Sequence, residues 1–183
     1  MESVTFKQSN GKVIISGLFL PFSEQPNGNG RIYNSDSISD KVLQEFKDEI
    51  KNGNVLGENF VYHSEERPEV LLTNVSHLIK KIEKTEEGLI GEIELLATPQ
   101  GNLIKELIDN GITKFLCIRP RCVGTVNEDK TVTVDRIFSC DLLSSFDDAF
   151  NPDSYRNRRY KLARNKNIRY DLASNKNIRF NFI

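Results

Sequence analysis

LLTNVSHLIKKIEKTEEGLIGEIELLATPQGNLIKELIDNG, residues 71 to 111, holds two periodicities in immediate succession. From Leu71 to Ile82 and from Leu89 to Leu96 the apolar residues are spaced as in two strands, and Glu86, Glu87 and Gly88 between them suit a hairpin turn. Thr98 then supplies an N-cap oxygen, and Pro99 fits a first helical turn, where no N–H is needed. Leu103, Ile104, Leu107 and Ile108 are expected to be the buried side of that helix, and Gly111 stops it. A hairpin followed at once by an amphipathic helix argues for a mixed architecture.

The alternation extends outward in both directions. Val13 to Leu20 reads as a buried strand, and PNGNGRIYN, residues 26 to 34, is a loop by its Pro, Asn and Gly content. Ser37 is expected to cap a helix with Ile38, Val42, Leu43, Phe46 and Ile50 on its inner side, ended near Gly53. Beyond the quoted stretch, Ile112 to Val126 and Thr131 to Leu143 are β-rich segments around the turn Asn127-Glu128-Asp129-Lys130. The expectation is an α+β fold, a β-sheet or small β-barrel core carrying two main helices.

A chain of 183 residues has room for one main core. With 38% apolar and 28% charged residues it is not disordered throughout, and no apolar run approaches the roughly 20 residues of a spanning helix. MESVTFKQSNGK at the N-terminus lacks the apolar run of a secretory signal, so the protein is expected to stay where it is made, without a membrane partner. Cys117, Cys122 and Cys140 cannot all pair and lack zinc spacing, so reduced thiols are expected. The net charge of −1 conceals an asymmetry: residues 151 to 183 carry nine Lys or Arg against Asp153 and Asp171, which leaves −8 for residues 1 to 150. This divides the chain into a body, 1–150, and a basic C-terminal extension, 151–183. The extension repeats itself, YKLARNKNIR at 160–169 and YDLASNKNIR at 170–179, identical at eight of ten positions. It is too small for a core of its own. It reads either as an arm for an acidic partner or nucleic acid, or as a solvated extension.

Few residues are candidates for chemistry. His63 lies in the polar stretch LGENFVYHSEERPEV, whereas His77 sits inside a strand pattern, where a structural role is expected. Cys117, in KFLCIRPRCVG, is a small hydrophobe unless a base and an orienting acid are brought to it. Asp141, in FSCDLLS, needs a partner if it is buried. Spacing alone selects no triad and no metal cluster.

The order of local motifs adds more. GLFLPFSEQPNGNGRIYN, a helix, Leu56-Gly57-Glu58 shortly before His63, paired strands, the ATPQGNLIKELIDNG helix, the Cys117 to Arg119 segment and FSCDLLSSFDDAFNPDSY follow one another over about residues 12 to 153. In this order the chain resembles the prohead core proteases of tailed bacteriophages, whose nucleophilic serine stands two residues before an arginine. The resemblance implies a procapsid-protease-like fold with Cys117 in place of that serine, His63 as base, Asp141 as third member and Arg119 at the oxyanion. It further implies an endopeptidase of prohead maturation that needs no cofactor. Its partners would be phage scaffold or core proteins and the major capsid protein, inside the procapsid assembling in the host cytoplasm. The departures are Asn34 and Ser64 for prolines, two extra residues before His63, Pro120 for a glycine and the thiol itself. They leave a second reading, an inactive protease-fold protein with a structural or scaffold-binding role in the phage head. A third, a nucleic-acid-binding accessory resting on the basic extension, finds no support in the acidic body.

Overall fold

The computed structural model describes residues 4–9, 11–27, 30–53, 55–59, 68–113 and 116–143. His63 and the basic extension lie outside the described residues. Strands β1 (Val4–Ser9), β2 (Lys12–Pro21), β3 (Leu56–Glu58), β4 (Val75–Lys84) and β5 (Gly88–Leu95) form one antiparallel sheet in the order β1-β2-β5-β4-β3. Strands β6 (Cys117–Val126) and β7 (Val132–Leu143) form a second, two-stranded ladder. Helices α1 (Asp40–Lys51) and α2 (Pro99–Asp109) complete an α+β fold. The described strands close no barrel, so of the two core forms expected the open sheet is the one found.

Buried side chains of both ladders and both helices share one core, with Ile15, Phe19, Phe46, Ile93, Ile118 and Leu142 all fully or almost fully enclosed. In β2 the period of two is interrupted: Phe19 is the extra residue of a bulge between Leu18 and Leu20, so Phe19 and Leu20 are both buried. On β5, Gly91, the partner of Gly17, leaves the space that the Phe19 ring fills.

The helices depart from the sequence reading at two points. The N-cap of α1 is Ser39, whose Oγ accepts from the Val42 N–H at 3.3 Å, rather than Ser37. Ser37 is engaged elsewhere. It closes a single 3-10 turn, Ser35–Ser37, in which its Oγ accepts from the Asn34 N–H at 3.0 Å. Ile38 is buried as expected, but in the link between the two elements. In α2 the Thr98 cap and Pro99 stand as expected, yet Leu103 is 47% exposed. The face that packs is Gly101–Ile104–Ile108, because a side chain at 101 would collide with the carbonyls of Leu96 and Ser76. Leu103 lies off that line.

Two strand boundaries also shift. Residues Leu72–Asn74 are a 3-10 turn ahead of β4, and β6 begins only at Cys117, leaving Ile112 half exposed. β1, VTFKQS, was not anticipated, since its apolar content is low; it pairs along β2 as an edge strand, with Phe6 against the core.

Between the ladders sits His77, fully buried on β4. Its Nε2–H donates to the Cys140 carbonyl of β7 at 2.8 Å, so Nδ1 is the nitrogen that accepts from the Ser76 hydroxyl, also at 2.8 Å. The ring is neutral, and burial lowers its pKa from 6.5 to about 4, against the opposing effects of the Cys140 carbonyl and the Glu58 charge. Gly57 of β3 packs directly on this ring and on the same carbonyl, leaving no room for a Cβ. A folded-state pKa below the unfolded one gives stability that is present above about pH 6.5 and lost as pH falls toward 4. Over that window the loss is expected to be about 3 kcal/mol, read by urea unfolding at several pH values, and His77→Gln should flatten it. Gly57→Ala should cost about 1–3 kcal/mol at neutral pH by the same measurement.

Candidate active site

The register of the second ladder decides which candidate residues share a face. Cys117 is opposite Leu143, Arg119 opposite Asp141 and Arg121 opposite Ser139, and directly opposed residues point to the same side of a sheet. Cys117, Arg119, Arg121 and Asp141 therefore share one side, the period of two placing three alternate residues of β6 in a row. β3 lies along that side. The Ser139 hydroxyl donates to the Leu56 carbonyl at 2.6 Å, and Asn59 is bridged in parallel to Leu142.

Two fully buried carboxylates, Glu58 and Asp141, meet on this face, with Arg121 between them at 10% side-chain exposure. Arg121 Nε and Nη2 donate to Asp141 Oδ2 and Oδ1 at 2.9 and 2.8 Å, the parallel fork that guanidinium and carboxylate planes allow. The same Nη2 stands 3.2 Å from Glu58 Oε2, and Nη1 donates to the Glu69 carbonyl at 2.6 Å. Glu58 reciprocates: its N–H donates to Asp141 Oδ1 at 3.3 Å, and its Oε1 accepts from the Leu71 N–H. One guanidinium thus joins β6, β7, the end of β3 and the chain at residues 69 to 71. Burial pushes the Asp141 carboxyl above its usual range. The Arg121 hydrogen bonds and charge and the Glu58 amide pull it back, and the Glu58 charge pushes it up again.

Of the sequence candidates, Cys117 and Asp141 are buried on the shared face, and Arg119 is half buried there. The Cys117 sulfur donates to the Leu143 carbonyl at 3.8 Å. Asp141 has the partner that its burial demands, and that partner is Arg121. The loop carrying Arg31 and Tyr33 is drawn to the same ladder, since the Ile32 N–H donates to the Lys130 carbonyl at 2.8 Å and the Val132 N–H to the Ile32 carbonyl at 2.9 Å. Tyr33 is mostly buried there; desolvation raises its pKa, and the Arg31 hydrogen bond and the charges of Arg31 and Arg119 oppose the rise. Cys140 is sealed in the core, its thiol pushed well up by burial and then by the Asp141 charge, so it is no nucleophile at neutral pH.

Sequence reasoning missed Arg121 and Glu58 as site residues. Arg121 is the next same-face residue after Cys117 and Arg119, a signal usable only once the register is known, and a glutamate buried in a strand needs a cation.

No protein-family model matches the chain, and no curated protein matches it either. Among solved structures the bacteriophage T4 capsid assembly protease gp21 superposes with a TM-score of 0.53 at 16% identity, covering 81% of this chain and 93% of that one. The fold is similar to that of a phage capsid protease. At this identity the likeness concerns architecture alone.

Because Arg121 is the cation paired with both buried carboxylates, Arg121→Met should destabilise the protein by about 3–5 kcal/mol, seen as a lowered denaturant midpoint, while Arg121→Lys should lose clearly less.

Proposed function

We propose that the chain is an endopeptidase of phage head assembly in which Cys117 takes the place of the serine nucleophile. The observation that carries the reading is the convergence at the start of the second ladder. Asn59 is bridged to Leu142, the neighbour of Leu143, and Leu143 is the cross-strand partner of Cys117. His63 follows Asn59 by four positions, at most about 14 Å of chain, a length that supports the reading by letting the base reach the sulfur. The T4 protease fold supports the same reading.

In this mechanism His63 takes the Cys117 thiol proton, and the thiolate attacks the scissile carbonyl. Arg119 steadies the oxyanion, by its N–H or its guanidinium, and His63 returns the proton to the leaving amine. Water then attacks the thioester, giving up a proton to His63, and the carboxylate product leaves as the thiol re-forms. Asp141 Oδ1 already accepts from Arg121 and Glu58, and Oδ2 from Arg121. Of about four acceptor positions on a carboxylate one is left for an imidazole N–H, and the rest fix the carboxylate in place. The substrates are scaffold and capsid proteins of the phage head, and the basic extension, residues 151 to 183, recruits the enzyme to acidic ones.

A second reading has its own observation. Cys117 has no exposed surface and its sulfur is turned to a main-chain carbonyl, which suits a protease fold retained for binding only. Incubation with scaffold and capsid protein, followed by mass spectrometry of the products, separates the two. The enzyme reading expects cleavage that falls by at least about a thousandfold in Cys117→Ala and in His63→Ala and persists in part in Cys117→Ser. It also expects Cys117 to be alkylated in the folded protein. Processing that is unchanged in both alanine variants overturns the Cys117 mechanism, and processing absent in the parent, with Cys117 alkylated only after unfolding, establishes the binding role instead.

A further inference from the structure

Away from this site, β4 is longer than the strand beside it. β3 pairs only with Val75 to Leu78, and the Ile79 N–H, donating to the Val55 carbonyl at 2.9 Å, is among the described residues the last main-chain bond on that side. From Lys80 to Lys84 the strand is paired with β5 on one edge, and among the described residues no strand covers the other. The C-terminal turns of α1 stand over this open edge, and Gly53, at φ 91°, turns the chain away. Between helix and strand is a cavity of about 410 Å³. Ile50, Leu78, Ile79 and Ile82 form its apolar part, and Lys47, Lys51, Lys80 and Lys81 its charged part.

The charge here is opposite to that of the body. Four lysines and one acid, Glu83, line the cavity, within a body of net −8. Lys81 pairs with Glu83 at 3.1 Å and Lys80 with Glu94 at 3.8 Å, while Lys47 and Lys51 have no acid at salt-bridge distance among the described residues. A register shift between Ile79 and Lys81 makes Lys80 the extra residue of a bulge, which sets two lysines side by side on the unpaired stretch. Lysines on an edge ordinarily repel further strands. Joined to an apolar cavity and a second pair of lysines on the facing helix, they select a strand of the opposite charge.

We propose that this cleft is a strand-addition site for an extended acidic segment of a partner protein, one that places an apolar side chain in the cavity. Those N–H and C=O groups of Lys80 to Lys84 that point away from β5 supply the main-chain bonds, and the four lysines supply the selection. The chain's own extension is excluded as occupant by its charge of +7. Nothing in this assignment depends on Cys117 chemistry, so it stands or falls separately from the peptidase reading.

The test uses the full chain and a short fluorescent peptide of alternating glutamate and valine, followed by anisotropy against salt. Binding should weaken steeply as salt rises, and Lys47→Glu with Lys51→Glu should weaken it at least about tenfold while leaving the thermal midpoint within a few degrees. The same peptide N-methylated at alternate residues should lose binding to a similar degree. A lysine-valine peptide that binds as well, or an acidic peptide indifferent to the double substitution, would overturn the site, the latter by assigning the binding to the basic extension. Equal binding of the N-methylated peptide would overturn strand addition.

Discussion

One buried guanidinium decides how the two halves of this fold can meet. Arg121 lies between Glu58 and Asp141, and each of the three belongs to a different strand. Burying two carboxylates without a cation is among the costliest arrangements a core can contain, so β3 can approach β7 only where β6 presents that side chain. Given the register of β6 against β7, the position of Glu58 at the end of β3 and the fixing of residues 69 to 71 both follow from this single requirement. The candidate catalytic face inherits its geometry from the same place, because Cys117 and Arg119 are the alternate residues immediately before Arg121.

Much of this fold could be read in the sequence, and what could not has physical reasons. The β4–β5 hairpin and the Thr98-Pro99 start of α2 are local signals, fixed by backbone chemistry within a few residues, and they appear where expected. Ser37 and Ser39 are both good caps two positions apart, and the choice fell to Ser39 because Ser37 was committed to the Asn34 N–H. Leu103 looked buried because helical periodicity gives a face only to within a residue or so, whereas Gly101 settles it by how closely the sheet approaches. β1 has almost no pattern of its own and exists through pairing with β2. Of the site, Cys117, Arg119 and Asp141 were identifiable individually. Their common face depends on a pairing register across some twenty residues, which no local pattern contains, and Arg121 was legible only once that register was known.

Protonation differs between the two buried polar centres, although they adjoin. His77 is held neutral by being enclosed and by donating to a carbonyl, and it joins β4 to β7 without introducing charge. The Arg121 centre joins neighbouring segments of chain around a guanidinium cation. Gly57, next to Glu58, is where the two come within contact: its missing side chain lets the neutral ring close on β3 while the following residue reaches the ion cluster.

The link between Glu58 and Asp141 spans 83 positions of chain. Closing so wide a loop is slow compared with zipping a hairpin, so the β4–β5 and β6–β7 ladders assemble while this connection is still open. Until then both acids remain hydrated, and water leaves them only as the last strand docks. The ion cluster therefore acts as a latch on the finished topology rather than a seed for it, and the peptide segments it gathers acquire their final positions at the end of folding.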